Sequence, residues 1–193
     1  MTNRLTRSDI LNLDPDRMPL LVFSDGSGLL PWLIRRLKGA PTHVMWMRRP
    51  GRFVSQERRL VEKPAGRWLE GRHRLWVWRG RRWDEATRAA VSVEIARLLE
   101  SPDNDYDYLG ILGQLLDCSW LNNPWDHYCS EMAAHLLRVA GEPLDLRHPD
   151  PRELMDWCRR SPRMELLGHY DPEQEEPHDE AGRRPETIRR RAA

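Results

Sequence analysis

Two residues stand where thiol chemistry needs them, Cys129 and His43. Cys129 lies in HYCSEMAAHLLRVAG, where Met132, Ala133, Leu136, Leu137 and Ala140 repeat at helical spacing and make one apolar face. With Asp126 as its cap, that helix carries Cys129 in the first turn, among unpaired backbone N–H groups and at the positive end of the helix dipole. Both favour a thiolate over a thiol, and a nearby N–H can hold the oxyanion that acyl transfer develops. His43 belongs to PTHVMWM, a short apolar strand, and an imidazole there can serve as a base. Taken singly, a cysteine on a packed helix is more often a core thiol, and a strand histidine a satisfied core or edge residue. Their joint pattern counts for more. A strand and helix, a histidine on a strand, a hairpin, then a cysteine opening a helix supply a base and a nucleophile in that chain order.

Around this pair the chain alternates turn signals with apolar runs. Leu20 to Ser24 reads as a buried strand closed by Ser24-Asp25-Gly26-Ser27-Gly28. A helix follows, with Pro31 near its start, Leu30, Leu33, Ile34 and Leu37 on one face, and Gly39 as its stop. Thr42 to Arg48 and Phe53 to Leu60 read as two strands joined around Pro50-Gly51, and His73 to Arg79 alternates as another. Asp84 opens a long helix carrying Val91, Ile95, Leu98 and Leu99, ended by Ser101-Pro102, and Tyr108 to Leu116 marks the next. The Cys129 helix runs from about Asp126 to Ala140 and stops at Gly141 and Pro143. Asp150-Pro151 with Glu153 opens a further helix through Trp157 in capping-box style, and Met164 to Tyr170 reads as a last strand. Residues 1 to 18 read as polar and irregular. The expectation is one domain over 1–170 and a disordered charged tail over 171–193, where too little apolar surface remains to bury.

Composition removes several function classes. A chain of 193 residues suits one ordinary domain with some tail. A formal net charge of +1 supplies no global field to draw in nucleic acid or an anionic membrane. No signal peptide is visible, since the apolar run Leu20 to Phe23 is too short for one, and nothing approaches a membrane span. Three cysteines, Cys118, Cys129 and Cys158, with no CxxC pair, fit reduced thiols better than a disulfide framework. A cytoplasmic location is expected.

The residues then carry a resemblance. The chain resembles the permuted NlpC-like, papain-fold cysteine amidases and peptidases, the YiiX-like group related to the lecithin:retinol acyltransferase enzymes. Those chains place the histidine first, in a strand similar to THVMWM, and open a helix with a cysteine in a setting similar to Tyr128-Cys129-Ser130-Glu131-Met132. Many carry a Tyr-Asp shortly upstream, matched by Tyr106-Asp107. The resemblance runs from about Asp14 to Tyr170. It implies Cys129 as nucleophile, His43 as base, and a third residue on the strand after the histidine. That third residue is usually a glutamate in the family, and the matching stretch Val54-Ser55-Gln56-Glu57 puts Gln56 in its position, with Glu57 one step on. Strand parity selects between them. A two-residue loop at Pro50-Gly51 sets Arg49 opposite Arg52, Met45 opposite Gln56 and Val44 opposite Glu57, so Gln56 shares the His43 face. A bulge or a three-residue loop reverses this.

Other patterns read more plainly. His127, Cys129 and His135 offer only three groups, and His135 lies on another face of the helix from Cys129, so no metal and no cofactor is expected. SDGSG lacks the Lys-Ser/Thr of a phosphate loop and reads as a tight turn. WVWRGRRW interleaves indoles with arginines as single-strand binders do, but a half-buried strand entering a basic turn accounts for it. Ser130 and Glu131 read as capping or solvating the helix.

The expected fold is therefore α+β, permuted papain-like (NlpC-like), an antiparallel sheet packed against helices. The expected activity is a cysteine hydrolase cleaving an amide bond, of peptide or isopeptide type, in a peptide, amide or acyl substrate. The alternatives are a thiol acyltransferase or lipase acting on lipid esters, and a non-catalytic binding or structural protein that keeps the fold.

Overall fold

Period-two apolar runs fold as strands, and six of them form one antiparallel sheet. The structure, a computed structural model, describes residues 3–26, 35–36, 39–56, 59–71, 73–101 and 129–174. Its strands are β1 (Leu20–Asp25), β2 (His43–Arg49), β3 (Arg52–Gln56), β4 (Leu60–Pro64), β5 (Arg74–Gly80) and β6 (Met164–Tyr170), laid out β4-β3-β2-β1-β5-β6. β1 is central and buried along its whole length, which is why its sequence is a continuous apolar run rather than an alternating one.

The described helices are α1 (Arg7–Leu11), α2 (Gly66–Glu70), α3 (Glu85–Glu100), α4 (Cys129–Val139) and α5 (Pro151–Arg160). They cover both faces of the sheet, making the chain α+β. On one face Leu21, Phe23, Val44, Trp46 and Val54 meet α3, α4 and α5 through residues such as Ile95, Leu136 and Leu154. On the other, Val22, Met45, Met47, Phe53 and Val77 meet Ile10 of α1 and Trp68 and Leu69 of α2.

Local chemistry sets the helix ends. The Asp84 carboxylate accepts from the Thr87 N–H at 2.8 Å and starts α3. Asp150 and Glu153 exchange side-chain to backbone bonds of 2.7 and 2.9 Å, the expected capping box, at the start of α5. Gly141, at φ +72°, closes α4 in the left-handed region that a glycine enters without strain. Beyond β6, the residues ahead of α1 run along the sheet edge. Leu5 N–H donates to His169 C=O at 2.8 Å, and His169 N–H donates to Asn3 C=O at 3.0 Å.

Three expectations need correction. Residues 1 to 18 are not irregular throughout, because Thr6 and Asp9 form a capping box that starts α1. Phe53 to Leu60 is two strands, since the polar run from Gln56 to Arg59 interrupts the apolar pattern and the chain returns as β4, with Gln56 opposite Leu60. The charged tail begins later than Asp171, as Pro172–Gln174 forms a short 3-10 turn. The helix expected over Leu30 to Leu37 (apart from Arg35 and Arg36), the helix at Tyr108 to Leu116, and the chain from 175 onward lie outside the described residues.

The hairpin of β2 and β3 carries the correction that matters most. Arg49 does face Arg52 across Pro50-Gly51, but the register then shifts, with Met47 opposite Phe53 and Trp46 opposite Val54. Arg48 is the extra residue of a β-bulge, which displaces every later pair by one. The turn end is tied to β4, where Arg49 forks onto Glu62 through two bonds of 3.0 Å. Continued along the strands, this register sets Met45 opposite Ser55 and Val44 opposite Gln56.

Candidate active site

Cys129 is the first described residue of α4, 5% exposed, and α4 packs across β2. The thiol lies against the main chain of Val44. Burial pushes it up to about 11 from 9.0, opposed by hydrogen bonds from the backbone of Val44, Ser130 and Cys129 itself. The resting group is therefore a thiol. Next to it, Ser130 is fully buried and its hydroxyl has no partner among the described residues, so it does not face solvent as the sequence led us to expect. Glu131 does not face solvent either: its side chain is 10% exposed, and its carboxylate lies 2.5 Å from His148 Nδ1.

His43 is the first residue of β2 and half-buried. Its Nε2 makes a 2.8 Å hydrogen bond with the Ser55 hydroxyl. Alternation puts His43 with Met45 and Met47 on the face covered by α1 and α2, joined there by Ser24, its cross-strand partner. Val44, one residue on, belongs to the face that carries α4 and Cys129. The expected juxtaposition of the Cys129 helix with the His43 strand is present. Imidazole and thiol, however, lie on opposite faces of the sheet.

Gln56 is corrected as the partner of His43. The bulge turns it to the face of Val44 and Val54, where it is 2% exposed, and it gives Ser55 the position beside the imidazole. Sequence reasoning missed Ser55 because a bulge leaves no mark in composition or in apolar period. Glu57, Asp126, His127, Tyr128, Tyr106, Asp107 and Cys118 lie outside the described residues.

A second group was also missed. Asp25 ends β1 with its side chain 1% exposed, on the Cys129 face and opposite Arg74 of β5. Its Oδ2 lies 2.5 Å from an Arg74 nitrogen and 3.4 Å from Arg35, while Oδ1 is buried without a donor among the described residues. Arg35 also donates to Gly26 C=O at 2.9 Å. His73, near Asp25, has a pKa lowered by burial, against the raising effect of that carboxylate.

The remaining motifs are structural. His135 pairs with Glu94 of α3 at 2.7 Å, and among the described residues no group of three metal-binding side chains forms. Trp83 stacks on Trp46 at 6.0 Å and donates to the buried Glu142 at 2.8 Å, so the WVWRGRRW indoles Trp78 and Trp83 belong to the core. Cys158 is buried in α5, its thiol pushed up by that burial. Among the described residues no helix is long and apolar enough to cross a membrane.

Comparison with models of known protein families gives no match to this chain, and no curated protein matches it.

Proposed function

We propose that the chain is a thiol hydrolase of amide bonds, with Cys129 as nucleophile and His43 as base, on a permuted papain-like arrangement. One observation carries this reading. Cys129, the first described residue of α4, lies against the main chain of Val44, the residue next to His43, so the thiol and the imidazole's own backbone are neighbours. Because the resting thiol is protonated, proton transfer accompanies attack. His43 takes the Cys129 proton as sulfur adds to the carbonyl carbon, and main-chain N–H groups at the start of α4 hold the oxyanion. The imidazolium then protonates the leaving amine, and water cleaves the thioester to the acid, restoring the thiol. This sequence needs the ring on the α4 side of β2.

The opposite faces of His43 and Cys129 and the raised thiol favour a second reading, a non-catalytic binding protein. A panel of acyl amides, peptides and isopeptides run against wild type and Cys129→Ala separates the two. The hydrolase reading expects turnover lost in Cys129→Ala and an acyl adduct on Cys129 by intact-mass spectrometry. Turnover equal in both proteins, or no adduct with any member, overturns it.

A further inference from the structure

We infer that Arg35 and Arg74, drawn together by the buried carboxylate of Asp25 on the Cys129 face of the sheet, bind a carboxylate on the substrate's leaving side. The inference rests on the hydrolase reading for the word substrate, but the anion site itself stands on its own geometry.

Asp25 is a buried anion holding two exposed cations. Its side chain is 1% exposed, whereas Arg35 and Arg74 remain 40% and 45% exposed. The trio has net charge +1 and turns its positive part outward. A guanidinium has three nitrogens and five donors. Asp25 engages one nitrogen of Arg74, and Asp25 with Gly26 engages two of Arg35. Among the described residues no other partner takes the remaining donors of either guanidinium, and these have the flat fork geometry that suits a carboxylate. An ion triad serving stability alone would satisfy both carboxylate oxygens, yet the buried Oδ1 of Asp25 finds no donor among the described residues. Asp25 thus fixes the guanidiniums without being fully satisfied itself.

Position supplies the substrate class. Asp25 lies two residues beyond Phe23, which pairs with Val44 under the Cys129 thiol. Two residues along a strand span ~7 Å. At ~3.5 Å per residue of extended chain, that is one to two residues of a bound peptide. The fitting ligand is a short peptide-like amide with a free carboxylate one or two residues from the bond that is cut. A single negative charge on it balances the +1 of the trio.

The test uses N-acetyl dipeptides and tripeptides, each as the free acid and as the carboxamide. Binding is measured by calorimetry on Cys129→Ala and turnover on wild type, with Arg74→Gln and Arg35→Gln placed in both backgrounds. Arg79→Gln, at a half-buried arginine paired with Glu165 elsewhere, is the control. The acids should bind at least ~10-fold more tightly than the amides at low salt, and either clamp variant should bring the two to parity while Arg79→Gln does not. Two arginine variants guard against loss of folding in one, read by melting temperature. Equal binding of acids and amides, or no binding of either across the panel, overturns the carboxylate site. Turnover without discrimination would overturn the site while leaving the hydrolase. Selective binding without turnover would keep the site and remove the hydrolase.

Discussion

Iodoacetamide reads the ionisation of Cys129 directly, because the thiolate and not the thiol reacts. Burial moves this group from 9.0 up to about 11. At about pH 7 that change lowers the thiolate fraction from about 1% to about 0.01%, roughly 100-fold. Labelling of the folded protein without substrate should therefore run ~100-fold slower at Cys129 than in denaturant, and slower still if access adds to ionisation. The rate should climb about tenfold per pH unit and level off only near 11. Peptide mass spectrometry gives this profile for each cysteine separately. His43→Ala should not alter it, since the imidazole lies across the sheet from the thiol. A rate near that of the denatured chain at neutral pH, or a plateau beginning in the ordinary histidine range and lost in His43→Ala, would refute the opposite-face arrangement. It would show the pair already joined in the resting protein.

Ser55→Ala should shift the titration of His43 followed by NMR and lower any kcat by about tenfold, the scale of one orienting hydrogen bond at about 1.4 kcal/mol. Gln56→Ala should leave that titration in place, and the opposite ranking would mean the hairpin runs without its bulge. On the alkaline side the folded Cys129 stays protonated while the unfolded thiol ionises from 9.0, so stability falls as pH rises from about 9 to about 11. That fall is about 2–3 kcal/mol from this group, and denaturant melts of Cys129→Ala should lack it. Glu94 is held down to about 2, chiefly by hydrogen bonding from Arg97 and further by His135, against some desolvation. Its contribution is present above the ordinary carboxylate range and is lost as pH falls from about 4.5 towards 2, so Glu94→Gln should flatten acid unfolding there. EDTA should change neither activity nor melting temperature, and stoichiometric zinc removed together with activity would contradict this.

Strands and helix ends were legible where one local rule decided them. Leu20 to Ser24 had to be a strand by its apolar run, and Asp84 and Asp150 announced α3 and α5 through side chains that reach only their own first turns. Thr6 and Asp9 carry the same signal for α1, but few apolar residues follow them to mark a helix. The site was less legible because it depends on pairing between distant residues. Arg48 bulges for reasons of strand geometry, and a one-residue slip changes no residue type while exchanging Gln56 for Ser55 beside His43. Asp25 looked like part of a turn. Only β5, which brings Arg74 across from it, makes it the hub of a charged group.

The strap of residues 3–5 along β6 has a consequence for handling the protein. It occupies a sheet edge whose Gly168 offers no side chain to keep another chain away, and a Cβ at that position would come within 2.5 Å of Asn3 oxygen. Peeling the strap off would expose a bare ribbon of backbone donors and acceptors, the form of surface on which strands from other molecules nucleate. Tags or proteolytic sites introduced ahead of Leu5 thus act on colloidal behaviour. Preparations trimmed there would be expected to thicken into oligomers with time and concentration, and Gly168→Lys, by crowding the strap and charging the edge at once, would part loss of docking from gain of stickiness.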